Sequence, residues 1–380
     1  MVAHSRISKR AAANDSENSL QPPAKKGRRK TMDFKDKLIN YGKAYNRNGN
    51  MWVTPEQAIE AKLLFLEQEG LEDPSSPSSP TLDKDAKAAQ DYLRSAYSHL
   101  KSTYPSLVED MTRNEGAERD FMETKLEEGA DRARMADTHA IRSAVLHNEI
   151  YSFEPLLCQI DKTQWGYHHV GTAHLLFPVV KDLSEANERD VHQIRAGMVQ
   201  IGCGIFYNFM WEGYSPVDPK NHLKGAFRGQ ILLNAYFIIF FGLSTVTCPQ
   251  NQLDSLRRGR KCNAARNGIK SVSMQAIVYV TTLVRFALSS DTSLSPGNPH
   301  IGNHGFSYSG FYRSLVNFLD GPNPSRVRQK FRAELLQWWN TKCFPKGTAY
   351  SDDDDTTVAA TTADLFDEEE IEGEEEGSME

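Results

Sequence analysis

The sequence predicts an all-α protein: a single large irregular helical domain around a buried apolar helix, with disordered tails, basic at the N-terminus and acidic at the C-terminus. Three observations carry this. Apolar residues recur at spacings of three and four through long segments, the mark of helices that bury one face. The period-two alternation of half-buried strands is missing. The stretch ILLNAYFIIFFG, Ile231 to Gly242, is apolar on almost every side, as a helix enclosed by other helices must be. A membrane-spanning helix needs about 20 predominantly apolar residues. Even extended to Val246, this run reaches 16 with Asn234, Ser244 and Thr245 inside it, so it reads as a core element and not as an anchor.

The elements follow in order. Residues 1–32 are polar and basic, with eight Lys/Arg against two Asp/Glu in the first 30 positions, and cannot bury enough surface to fold alone. Residues 33–73 hold a short helical segment in which Thr54 caps, Pro55 takes the first helical position, Gln57 completes a capping box and Gly70 ends the run. Residues 74–82, rich in Ser and Pro, form a linker. Its Ser-Pro pairs at Ser76 and Ser79 are ordinary linker chemistry before they are phosphorylation sites.

The helical domain occupies 83–345. Phe121, Met122, Leu126, Ala130, Ala133, Ala140, Ile141, Ala144 and Val145 predict one long amphipathic helix over Glu115–Asn148, with a bend at Gly129. Further helices are predicted over Glu185–Met198, in SVSMQAIVYVTTLVRFALSS, and from Ser325 to Phe344, where Phe331, Leu335, Trp338 and Trp339 form an apolar stripe closed by Pro345. Residues 346–380 form the acidic tail; 351–380 carry fourteen Asp/Glu and no Lys or Arg, and repulsion among them keeps the segment open. Between the two ends 36 Lys/Arg face 34 Asp/Glu, so the charge of the domain itself gives no reason to expect nonspecific nucleic-acid binding.

Chemistry is sparse. Five widely spaced cysteines, Cys158, Cys203, Cys248, Cys262 and Cys343, contain no CxxC pair, which argues against a disulfide framework and against a zinc site of the usual spacing. No metal ligands and no cofactor are expected. No apolar segment follows Met1, so the expected compartment is nucleus or cytoplasm, and a basic cluster favours the nucleus. Lys25, Lys26, Arg28, Arg29 and Lys30 put five cations into six positions, the pattern that the acidic groove of an import receptor binds; a solvated basic arm is the competing reading.

A candidate pocket gathers His168, His169 and Cys203, a thiol between two glycines with histidines elsewhere in the chain. Against it, His169 and His174 are five apart with no Glu between them, unlike a zinc-protease pair, and a buried cysteine is more often inert packing. A candidate anion-binding loop holds Arg257, Arg258, Arg260, Lys261, Arg266 and Lys270 ahead of a helix N-terminus. No P-loop, dinucleotide fingerprint or nucleophile elbow is present.

Several motifs stand together in order. They are Pro216 with Asp218 and Pro219, Gly225 with Arg228, Asn263 with Ala264, Val278 to Val280, Arg285 to Ser289, and Trp338 to Asn340. In this order and spacing, over roughly residues 85–345, the chain resembles an uncharacterised all-helical domain family abundant in mushroom-forming basidiomycete fungi. Relatives tend to carry Gly before the Asn-Ala pair and His before the following Gly, where this chain has Cys262 and Asn267. The resemblance implies the helical domain and brings no activity with it.

Three functions are therefore open. The first is a non-enzymatic nuclear module that binds a protein partner, whose acidic tail engages basic chromatin proteins. The second is a nucleic-acid-associated factor using loop 257–270, with binding that falls steeply with salt. The third is an enzyme built on the His168, His169 and Cys203 pocket.

Overall fold

The computed structural model describes residues 33–71, 84–147, 150–179, 192–193, 202–214, 221–247, 262–297, 306–322 and 324–345. The basic tail, the linker, most of the predicted helix Glu185–Met198, the Pro216–Pro219 turn and the acidic tail lie outside them.

The described residues are mostly helical, and their only β pairings are two isolated bridges, Pro178 with Tyr207 and Trp211 with Ala226. The first five helices are α1 Phe34–Asn48, α2 Pro55–Leu71, α3 Lys84–Thr103, α4 Pro105–Arg113 and α5 Ala117–Val145. After a run of short turns come α6 Val170–Leu175, α7 Gln230–Phe241, α8 Ser244–Thr247, α9 Asn263–Arg266, α10 Met274–Leu288, α11 Tyr308–Leu319 and α12 Arg326–Cys343.

Several boundaries have a local cause. Thr54 and Gln57 form the reciprocal capping box: the Gln57 amide donates to Thr54 Oγ1 at 3.2 Å and the Thr54 amide to Gln57 Oε1 at 3.1 Å. Ser273 caps α10 through Ala276, and Ser325 caps α12 through Arg328. Gly242 ends α7 at φ 100°, where its amide reaches back to the Phe237 and Ile238 carbonyls.

In α7 every residue but Gln230 and Asn234 is buried, as its composition requires. The sequence points to one enclosed helix; the structure holds two, because every residue of α10 except Gln275 is buried as well. Its threonines are accommodated by returning their hydroxyls to the helix: Thr281 Oγ1 donates to the Ile277 carbonyl at 2.7 Å and Thr282 Oγ1 to Val278 at 2.9 Å. Around this pair pack α1, α5 and α11. Trp339 of α12 meets Tyr236 of α7 with ring centroids 5.4 Å apart. The segment 33–73, which the linker sets apart in sequence, shares this core: Leu38, Tyr45, Ala58 and Ile59 belong to the same apolar cluster as α7 and α10.

Helix α5 is continuous through Gly129, and the glycine serves a close crossing. A Cβ at Gly129 would lie 2.1 Å from the Ile39 carbonyl oxygen, and one at Gly42 would lie 2.0 Å from that of Leu126. The backbones of α1 and α5 therefore touch at two glycines. Gly→Ala inside a helix ordinarily gains about 1 kcal/mol. Here Gly129→Ala is expected to cost about 1–3 kcal/mol net, because α1 must be pushed away; a melting temperature at or above that of the wild type would refute the crossing.

Candidate functional site

The predicted pocket residues have separate surroundings. His168 is exposed at the end of a one-turn 3-10 helix, while His169 is 3% exposed and caps α6. His169 Nδ1 accepts the amides of Gly171 and Thr172 at 3.2 and 3.4 Å, and Nε2 donates to the Pro155 carbonyl at 2.7 Å. Both ring nitrogens are thus occupied, and the ring edge rests on Phe153. Cys203, half-buried, lies against Gly310 of α11: a Cβ added there would stand 3.0 Å from its sulfur. Cys262 and Cys343 are buried, and the Cys262 sulfur accepts the Ala265 amide at 3.4 Å, capping α9.

This geometry makes His169 a helix cap. His169→Ala is expected to lower stability by about 1–2 kcal/mol, and His169→Asn, which keeps a capping acceptor, to recover most of that in urea denaturation. Equal losses for the two variants would remove the assignment.

Of the anion-loop residues, Arg257, Arg258, Arg260 and Lys261 lie outside the described residues. Arg266 and Lys270 are both exposed, on either side of Gly268, which turns the chain at φ 62°. The import cluster Lys25, Lys26, Arg28, Arg29 and Lys30 is likewise outside. No group of three or more His, Cys, Asp or Glu among the described residues is placed to hold a metal ion, and no helix among them is long and apolar enough to cross a membrane.

The motifs that stood out in the sequence are largely accounted for as fastenings of the core. Asn263 Nδ2 donates to the Ile239 carbonyl at 2.6 Å, tying α9 to α7, and Asn340 Oδ1 accepts the Val272 amide at 2.8 Å. Trp339 Nε1 donates to the Phe227 carbonyl at 3.0 Å. Tyr279 donates to Asp137 Oδ2 at 2.8 Å and accepts from Asn46 at 3.2 Å. Arg285 is 4% exposed in an aromatic box, its guanidinium carbon 4.0 Å from the Phe306 ring centroid and 5.2 Å from that of Tyr207. Its Nε and Nη1 have no hydrogen-bond partner, so ring faces stand in for a carboxylate. Beside it Lys162 donates to the Phe286, Ala287 and Ser289 carbonyls at the end of α10. Burial, helped by the nearby Arg142 cation, pushes the Lys162 ammonium down to about 7.

One motif residue does more. Arg228 lies where the chain approaches α7, a passage with unusual backbone: Gly225 has φ 77°, and Phe227, a bulky residue, has φ 57°. A Cβ at Gly229 would stand 2.0 Å from the Phe209 carbonyl oxygen. Phe227 is held there by the rings of Phe206, Phe318 and Phe331, so tertiary packing overrides its local preference.

Between this passage and the first turns of α12 lies an open cavity of 420 Å³. Leu223, Val327 and Phe331 supply apolar surface, and Lys224, Arg228 and Lys330 supply positive charge. Glu334 is the one acid of its lining, 3.8 Å from Lys330. Arg228 stacks over Trp338 at 5.6 Å and leaves a buried Nε without a hydrogen-bond partner. Val327 is 70% exposed, an uncovered apolar side chain on the rim. Such a cavity suits a carboxylate-bearing chain with an apolar side group. The signal for it was faint in sequence: Gly225 and Arg228 stood out, but Val327, Lys330, Phe331 and Glu334 become neighbours only through the three- and four-residue spacing of α12.

Fold and site together define a class: an all-helical domain wrapped around two helices that are enclosed among the described residues, with a cationic, apolar-floored cavity beside them. The chain belongs to DUF6698, a family of unknown function, whose profile matches residues 128–344. The match takes in all of the motifs and begins partway along α5. No curated protein and no solved structure was found to match.

Proposed function

We propose that this chain is a nuclear protein-interaction module without catalytic activity of its own, whose helical domain receives an acidic partner segment with apolar side chains in the cavity between the α7 approach and α12. The observation that carries the reading is the cavity's composition: three cations to one acid, around an apolar floor that ends in exposed Val327. The capping of His169 at both ring nitrogens supports it from the other side, by employing the best catalytic candidate in structure. Nuclear import rests on Lys25 to Lys30, and engagement of basic chromatin proteins on the acidic tail. The order of motifs supports placing the chain among family members from mushroom-forming fungi.

The direct test is fluorescence anisotropy with a labelled acidic peptide carrying a Leu-Phe pair. The titrated chain carries L365S, F366S and I371S, so that its own acidic tail does not compete. Binding is expected to weaken with salt and to fall about tenfold on K330E, a charge reversal in a cationic rim. A lysine-rich peptide bound equally well would sink the reading. Imaging a tagged chain with Lys25, Lys26, Arg28, Arg29 and Lys30 changed to Ala tests import, and unchanged nuclear accumulation would remove it.

A further inference from the structure

The chain carries a segment of the chemistry that this cavity would take. Within the acidic tail, residues 364–372 read DLFDEEEIE: Leu365, Phe366 and Ile371 are set among Asp364, Asp367, Glu368, Glu369, Glu370 and Glu372. Elsewhere the tail's acids stand with little apolar company, as in the DDDD run at 352–355. The cavity presents the inverse pattern, with Lys224, Arg228 and Lys330 around Leu223, Val327 and Phe331.

Length allows the two to meet. The cavity is lined by the first turns of α12, and the tail leaves from the end of the same helix. At 1.5 Å per helical residue, Glu334 and Val327 lie roughly 14 and 24 Å back from Cys343. The connecting residues 346–363, about 18 of them, span up to roughly 60 Å. A tethered segment that can reach its site binds as if it were present at about millimolar concentration, so modest affinity is enough to fill the site.

We infer that residues 364–372 occupy this cavity in cis, with Leu365 and Phe366 against the apolar floor and the flanking carboxylates on Lys224, Arg228 and Lys330. The inference rests on the reading of the cavity as an acidic-segment receptor and adds its regulation. The tail holds the site closed to partners, and a basic protein that takes up the tail opens it. One interaction thereby controls the other.

The experiment compares full-length wild-type chain with full-length L365S/F366S/I371S, using as probe a fluorescein-labelled peptide of residues 362–373. Thermal melts check that each chain folds. The wild type is expected to bind the probe at least tenfold more weakly than the tail variant, because its own segment competes. Adding K330E to the tail variant, at a side chain that is 80% exposed, is expected to weaken binding about tenfold. Equal binding by wild type and tail variant, with the tail variant sensitive to K330E, overturns the cis contact and leaves the cavity reading standing. Absence of binding to the tail variant, or binding that ignores K330E, overturns the cavity reading itself.

Discussion

Asp137→Ala is expected to destabilise the folded chain by about 3–5 kcal/mol, read as a large drop in urea midpoint at unchanged slope. Asp137 is 4% exposed and Arg47, facing it, 5%. The pair is bidentate, with Arg47 Nε 2.7 Å from Oδ2 and Nη2 2.8 Å from Oδ1, and Tyr279 donates to Oδ2 as well. One carboxylate thus joins α1, α5 and α10. Removing it leaves a guanidinium in a water-poor interior without the negative charge it faces and takes away the acceptor of the Tyr279 hydroxyl. The pair's net contribution is a separate matter. Because burying two charges is itself costly, changing both members to apolar residues of similar size, as in R47M/D137L, is expected to recover most of the loss. If Asp137→Ala costs under about 1 kcal/mol, Asp137 does not hold the three helices together.

Trp339→Ala carries the other large effect, about 4 kcal/mol or more. Loss of a fully buried aromatic side chain typically costs about 3–5 kcal/mol. Trp339 is 0% exposed and packs on Tyr236 of α7. Its indole N–H also satisfies the Phe227 carbonyl, and leaving a buried acceptor empty adds about 1–3 kcal/mol. Since Phe227 is held at positive φ, that hydrogen bond also helps to fix the backbone that positions Arg228. Trp339→Phe separates the contributions: it keeps a ring and loses the donor, so a loss of about 1–3 kcal/mol is expected. If the Phe and Ala variants are equally unstable, the hydrogen bond is the whole effect; if Phe matches wild type, the bond contributes nothing.

The helices were legible because their signals are local. The period-3.6 pattern of α5, the Thr54–Gln57 box and the Gly242 stop each lie within a few residues of the element they specify. Helix α1 is less legible: in sequence its residues form only part of a short helical segment, since its burial depends on Gly42 meeting Leu126 and Arg47 meeting Asp137, contacts remote in sequence. Asp137 was invisible for the same reason, a lone acid in a helix full of acids. His169 shows the converse. Clustered histidines read as chemistry, but a histidine at a helix start also offers a capping nitrogen, and only the Pro155 carbonyl on its other side decides the role. In the cavity the motif residues Gly225 and Arg228 drew notice, whereas the α12 half depended on how two distant segments meet.

The enclosure of α10 beyond Gln275 has a kinetic meaning. Amide protons of its middle turns, sheathed on every face, have no route to solvent deuterium through local fraying, so they should exchange only when the whole domain opens. Proteases and deuterium alike would then find α10 at the rate of global unfolding, and its exchange free energy would report the stability of the entire domain.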